Sequence, residues 1–140
     1  MLEKWAVKIG GGVNHRFGLY DMMMIKDNHI DFAGSIESAI EKAINYQKDK
    51  GINIPIEVEA RNLEEVNEIL RVGNIQRIML DNFSYDDTRI AVEQIGGRFE
   101  TEASGGITEE SIRDHALCGV DFISVGALTH SCLLYTSDAA

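Results

Sequence analysis

The chain of 140 residues is the size of one ordinary domain, and its 44% hydrophobic and 26% charged residues describe a folded globular protein, excluding a disordered tail. No apolar run reaches the length of a membrane span, and no basic stretch followed by an apolar core marks a secretory signal. A net charge of −10 argues against nucleic acid or an anionic membrane as partner. The charge is unevenly spread. Residues 1–30 hold four Lys or Arg against three Asp or Glu, whereas the remainder holds nine against twenty, so the opening stretch is where an anion meets the most favourable field. Cys118 and Cys132 have neither metal-ligand spacing nor the density of a disulfide scaffold, which fits a reducing cytoplasm.

Taken in chain order, residues 2–9 ("LEKWAVKI") read as a short helix, with Leu2, Trp5, Ala6 and Ile9 at helical spacing. Met22 to Ile25 is an apolar run short enough for a buried strand. "GSIESAIEKAINYQKDKG" is a helix with Ser35 as N-cap, apolar residues at 36, 39, 40, 43 and 44, and Gly51 as its stop. A strand over 54–60 ("IPIEVEA") precedes a helix capped by Asn62 and closed by Gly73. The pattern then repeats: a strand at 77–82, a helix begun by Ser84 and ended by Gly96, the strand "RFETEA", a helix opened by Thr108, and a strand at 121–126. About five strands alternating with four helices predict βαβ units and a parallel sheet.

Chemically capable residues recur at the strand ends. Lys26-Asp27 follows "MMMI", Glu59 ends "IEVE", Asp81-Asn82 follows "IML", Ser104-Gly105-Gly106 follows "ETEA", and Gly126 follows "ISV". In a barrel such ends converge on one rim, whereas in an open doubly wound sheet they string out along an edge. The recurrence favours an α/β fold of the TIM-like barrel kind, incomplete (open) because a full barrel needs about eight strands.

The glycines at 10–12 lack G-x-G-x-x-G and G-K-[ST], and the expected helix before them argues further against a nucleotide loop. They read as a cap and turn that present His15 and Arg16, with Lys26 ten residues on: a planar fork, an imidazole donor and a point charge suited to a small dianion. The spacing of His15, His29 and His115 does not fit structural zinc. Glu59 and Asp81 end neighbouring strands, where two carboxylates either hold Mg²⁺ with substrate phosphates or enter salt bridges. The small-residue loops "EASGGI" and "SVGAL" suit a phosphate, since such loops turn backbone N–H groups toward an anion.

The stretches "LEKWAVKIGGGVNHRFGLYD", "IKDNHI", "IEVEA", "MLDNFS", "EASGGIT" and "GVDFISVGALTHS" closely resemble quinolinate phosphoribosyltransferase, in order and from about Leu2 to Ser131. The resemblance implies that quinolinate and phosphoribosyl pyrophosphate become nicotinate mononucleotide, pyrophosphate and CO₂, with Mg²⁺, in a step of NAD biosynthesis. It implies that His15 and Arg16 hold the quinolinate carboxylates and that Lys26 bridges quinolinate and the donor. Glu59 and Asp81 would face the ribose and the magnesium–pyrophosphate. Ser104, Gly105, Gly106, Gly126 and Ala127 would hold the 5′-phosphate.

The same resemblance makes residues 1–131 a partial barrel domain, with the family's N-terminal domain absent, and implies a dimer or hexamer for the full-length family. The segment 132–140 ("CLLYTSDAA") departs from the family pattern and is expected to be a non-native tail resembling a translated adaptor. A fragment of this kind is expected to be inactive alone. Two alternatives stay open: a related phosphoribosyltransferase with another acceptor, and a non-catalytic phosphate-binding remnant.

Overall fold

A computed structural model describes residues 6–9 and 22–125. Among the described residues six strands form one sheet: β1 (Ala6–Ile9), β2 (Met23–Ile25), β3 (Ile56–Ala60), β4 (Arg77–Asp81), β5 (Glu100–Ser104) and β6 (Phe122–Val125). Every recorded pairing is parallel, and the order is β1-β6-β5-β4-β3-β2. Strands 2 to 6 therefore lie side by side in chain order, while the first strand returns to sit beside the last. That cyclic order, with β1 and β2 at the two ends of the sheet, is an α/β barrel left open at one seam.

Residues 6–9 correct the sequence expectation. A helix over 2–9 is not what forms; Ala6–Ile9 is a strand paired with β6 in the register Ala6↔Phe122 to Ile9↔Val125. Four apolar positions within eight residues made a weak helical signal, and a parallel partner more than a hundred residues away overrode it. It also raises the strand count from about five to six. One ground against a nucleotide loop falls with it, because the glycines at 10–12 now follow a strand; the missing motifs remain the other ground.

The helices form where local signals placed them. In α2 (Ile36–Lys50) the Ser35 hydroxyl accepts from the Ser38 N–H at 3.1 Å, and Gly51 closes the helix at φ 68°. In α3 (Leu63–Val72) and α4 (Tyr85–Ile95), Asn62 and Ser84 cap the Glu65 and Asp87 N–H groups at 2.9 and 3.1 Å. Two details were not expected. A seven-residue helix, α1 (Asp27–Ala33), starts directly after β2, and the segment after Thr108 opens as a 3-10 turn (Glu109–Ser111) before α5 (Ile112–Leu117).

Alternation along the strands sorts side chains onto two faces. Val58, Ala60, Ile78, Leu80, Ala103, Ile123 and Val125 are buried in one apolar cluster with Ile40, Val66, Ile69, Ala91 and Ile95 of the helices. The intervening positions, Glu57, Glu59, Arg77, Met79, Asp81, Glu100, Glu102 and Ser104, lie on the opposite face. Of these Glu57, Arg77 and Glu102 are fully buried. No described helix is long and apolar enough to cross a membrane.

Candidate active site

The carboxyl ends of β2 to β5 bring the expected rim residues together. Lys26 follows β2 and is exposed; its backbone N–H donates to His29 Nδ1 at 3.0 Å as α1 begins. One residue on, the Asp27 N–H donates to Glu59 Oε1 at 2.9 Å, which ties the start of α1 to the end of β3. In the sheet register Glu59 stands opposite Met79, two residues before Asp81, so both acids lie on the face turned from the helices. Asp81 in turn pairs with Ser104 across β4 and β5.

Ser104 opens the turn that carries Gly105 and Gly106, at φ 94° and 65°. The left-handed backbone at Gly105 leaves no room for a side chain. A β-carbon there would stand 2.6 Å from Asn82 Oδ1 and 2.8 Å from the Asn82 backbone nitrogen.

The acids are electrostatically frustrated. Glu59 is held above its ordinary pKa by partial burial, which outweighs the hydrogen bond from the Asp27 N–H; repulsion from Asp81 and Asp27 adds to the rise, and Lys26 opposes it. Asp81 is raised by burial and then by Asp27, with a hydrogen bond from the Asn82 side chain pulling the other way. Three half-buried carboxylates thus crowd one end of the sheet, a field that a cation relieves.

No three His, Cys, Asp or Glu side chains among the described residues make a ready metal cage. Magnesium needs less from the protein: it keeps several waters and takes one or two carboxylates plus substrate phosphates. A pair of repelling carboxylates fits that requirement.

His15, Arg16, Gly126 and Ala127 lie outside the described residues, as does the segment 132–140. Lys26, Glu59, Asp81, Ser104, Gly105 and Gly106 lie inside them, on the ends of four successive strands.

Two residues named at strand ends in the sequence were given no part in the site. Asp27 is one, although an Asp opening a helix straight after a strand faces the same rim as Lys26. Asn82 carried a subtler cue: among the described residues only it and Asn74 are non-glycine residues with positive φ. Beneath the rim, Arg77 reaches Glu100 at 3.0 Å and Glu102 at 3.6 Å and stacks 3.7 Å from the centroid of Phe122. That buried ionic layer was visible only as polar residues at every second position.

The pattern of the family described as quinolinate phosphoribosyl transferase, C-terminal domain, matches residues 1–134. The chain belongs to that family. It is 50% identical over 145 aligned positions to the chloroplastic nicotinate-nucleotide pyrophosphorylase [carboxylating] of Arabidopsis thaliana, covering 94% of this chain and 42% of that protein. It is 48% identical to the probable nicotinate-nucleotide pyrophosphorylase [carboxylating] of Bacillus subtilis (strain 168), covering 94% of this chain and 44% of the relative. The solved structure of the Francisella tularensis nicotinate-nucleotide pyrophosphorylase superposes with a TM-score of 0.73 at 36% identity, over 89% of this chain and 49% of that one. The chain therefore spans less than half the length of these family members.

Proposed function

We propose that this chain is the barrel portion of an enzyme that transfers a phosphoribosyl group from phosphoribosyl pyrophosphate to quinolinate with loss of CO₂. The observation that carries the reading is the acid pair Glu59 and Asp81, set beside the Ser104–Gly106 turn at the carboxyl ends of adjacent strands in a chain of this family.

The reaction breaks the bond between ribose C1′ and the pyrophosphate oxygen, which departs with the electron pair, and forms a bond from C1′ to the quinolinate nitrogen. The carboxylate next to that nitrogen then leaves as CO₂; its electron pair stays on the ring carbon, stabilised by the adjacent pyridinium, and a proton replaces it. The charge that develops at C1′ is positive. Glu59 and Asp81 are suited to face it, because preorganised carboxylates stabilise an oxocarbenium-like centre without reorganising.

Magnesium, when bound, screens the pyrophosphate, and Glu59 with Asp81 are the residues proposed to hold it. In the same reading His15 and Arg16 bind the two carboxylates of quinolinate, and Lys26 lies between acceptor and donor. Ser104, Gly105 and Gly106, with Gly126 and Ala127, take the 5′-phosphate.

The proposal extends to a homo-oligomer, a dimer or hexamer, in which a neighbouring subunit completes the site. It places the enzyme in the cytoplasm, in keeping with a free, buried Cys118. Calorimetry of the 140-residue chain with quinolinate, and with magnesium and phosphoribosyl pyrophosphate, tests the reading directly. Both should bind, Arg16→Ala should abolish quinolinate binding, and Glu59→Gln should weaken the magnesium-dependent binding of the donor by tenfold or more (an order of magnitude). Pyrophosphate release by this chain alone should be slight, because the relatives it matches are more than twice its length. Failure to bind either substrate overturns the proposal.

A further inference from the structure

The start of α1 lies against the rim, and its first N–H groups are already taken by side chains. The Lys26 N–H donates to His29 Nδ1 at 3.0 Å, the Asp27 N–H to Glu59 Oε1 at 2.9 Å and the Asn28 N–H to the Asp27 carboxylate at 2.7 Å. The first and last of these bonds are local. The bond to Glu59 crosses 32 residues of sequence and joins the ends of two strands. The pairing of β2 with β3 stops before both partners, at Ile25 opposite Val58. On its other side the Glu59 backbone stands opposite Met79 of β4. That pairing fixes where the Glu59 α-carbon lies but not where its carboxylate points, because a glutamate side chain turns about several bonds.

We infer that Asp27 is a positioning residue, whose backbone N–H anchors Glu59 Oε1 and so turns the other carboxylate oxygen toward the magnesium-bound donor. The inference rests on the reading of Glu59 as a residue that faces the donor, and it gives Asp27 a part that its own carboxylate does not play. A long carboxylate side chain left free would lose rotamer entropy each time it engaged a ligand. Half-buried and bonded to a main-chain donor, Glu59 has lost it on folding. A backbone N–H suits the task because it holds a carboxylate without cancelling its charge, as a lysine or arginine would. Magnesium demands near-ideal octahedral geometry, so a carboxylate already aimed serves it better than a mobile one.

The test compares two variants that both lack the Asp27 carboxylate. Asp27→Ala keeps the N–H, whereas Asp27→Pro removes it. Proline suits this place: Asp27 is the first residue of α1, and Lys26 before it is extended, at φ −98° and ψ 172°, as a residue preceding proline prefers. Calorimetry on the 140-residue chain measures the affinity for phosphoribosyl pyrophosphate with magnesium and, separately, for quinolinate. The donor should bind Asp27→Pro about tenfold more weakly than Asp27→Ala, the loss expected when a hydrogen bond to a charged group disappears. Quinolinate should bind the two variants equally, since Lys26 keeps its own bond to His29. Equal donor affinities would overturn the inference. So would a parallel loss of both ligands, which marks a general loosening of α1.

A second measurement needs no variant. The scalar coupling between the Asp27 amide nitrogen and the Glu59 carboxyl carbon, read by NMR, should be present in the free chain and persist when magnesium and donor are bound. A coupling that vanished on binding would show that Glu59 leaves its anchor to act, and the inference would fall. Absence of donor binding by the unsubstituted chain is a different failure: it removes the functional reading itself, and the inference with it.

Discussion

The two faces of the six-stranded sheet differ as sharply as a core and a surface, yet both are buried. Toward the helices stand Val58, Ile78, Leu80 and Ile123, all at 1% exposure or less. On the opposite face Glu57, Arg77 and Glu102 are equally enclosed, at 0, 2 and 0%, and the half-buried acids Glu59 and Asp81 lie above them. The contrast teaches where each kind of energy resides. The helix-facing side is held by area removed from water, which tolerates exchange among apolar shapes of similar volume. The other side is held by pairing, which tolerates little, because a buried charge that loses its partner keeps the whole cost of its desolvation.

The largest effect should therefore come from Arg77→Ala. It deprives Glu102 of a guanidinium at 3.6 Å and Glu100 of one at 3.0 Å, and urea denaturation should record a loss of about 3–5 kcal/mol. On the helix-facing side, Leu80→Ala should cost about 2–4 kcal/mol through lost transfer energy and the cavity left behind. If Leu80→Ala proved clearly the more damaging, the assignment of roles to the two faces would be reversed.

The glycine turn comes next. Gly105→Ala must adopt a strained backbone and push against Asn82, for about 1–3 kcal/mol. In Gly106→Ala the only contact within 4 Å among the described residues is Asn82 Oδ1 at 3.9 Å, so the cost is that of the left-handed backbone, about 1 kcal/mol. Equal losses in the two variants would show that Asn82 yields easily.

The smallest effect on stability is expected at the rim, and its sign is informative. Glu59 and Asp81 have folded-state pKa values raised above their ordinary 4.5 and 3.8, so the folded chain binds these protons more tightly than the unfolded chain. Their ionisation penalty is fully present above the folded pKa values and fades as the pH falls through them toward the unfolded ones. Melting temperature should therefore rise as the pH is lowered from neutrality into the carboxylate range. Glu65 works in the opposite sense, because Arg61 lowers its pKa against the effect of burial, and its contribution is lost as the solution becomes acidic. Glu59→Gln should flatten the acid-side gain while changing stability at neutral pH by no more than about 1 kcal/mol. A Glu59→Gln profile that matched the unsubstituted chain across this range would refute the picture of a frustrated rim.

The readable parts of the fold were those with local causes. Ser35, Asn62 and Ser84 cap helices that Gly51, Gly73 and Gly96 close, and each signal acts within a turn of the residue that carries it. Strand β1 was misread because its stability comes from β6, at the other end of the described chain. At the site, Lys26, Glu59, Asp81 and the glycine turn were legible from residue type at strand ends. Glu57 and Glu102 were not, although "IEVEA" and "ETEAS" alternate openly, because alternation does not tell a solvated polar face from an enclosed one.

The sequence by itself determined the alternation of strands and helices, their caps, and the chemistry placed at each strand's end, since these depend on side chains a few residues apart. Only the tertiary structure decided that β1 lies beside β6, that the second face of the sheet is a buried ionic layer, and that Asn82 packs against the first glycine of the Ser104–Gly106 turn. Those outcomes depend on residues from distant parts of the chain meeting in one register, and burial changes what their charges are worth.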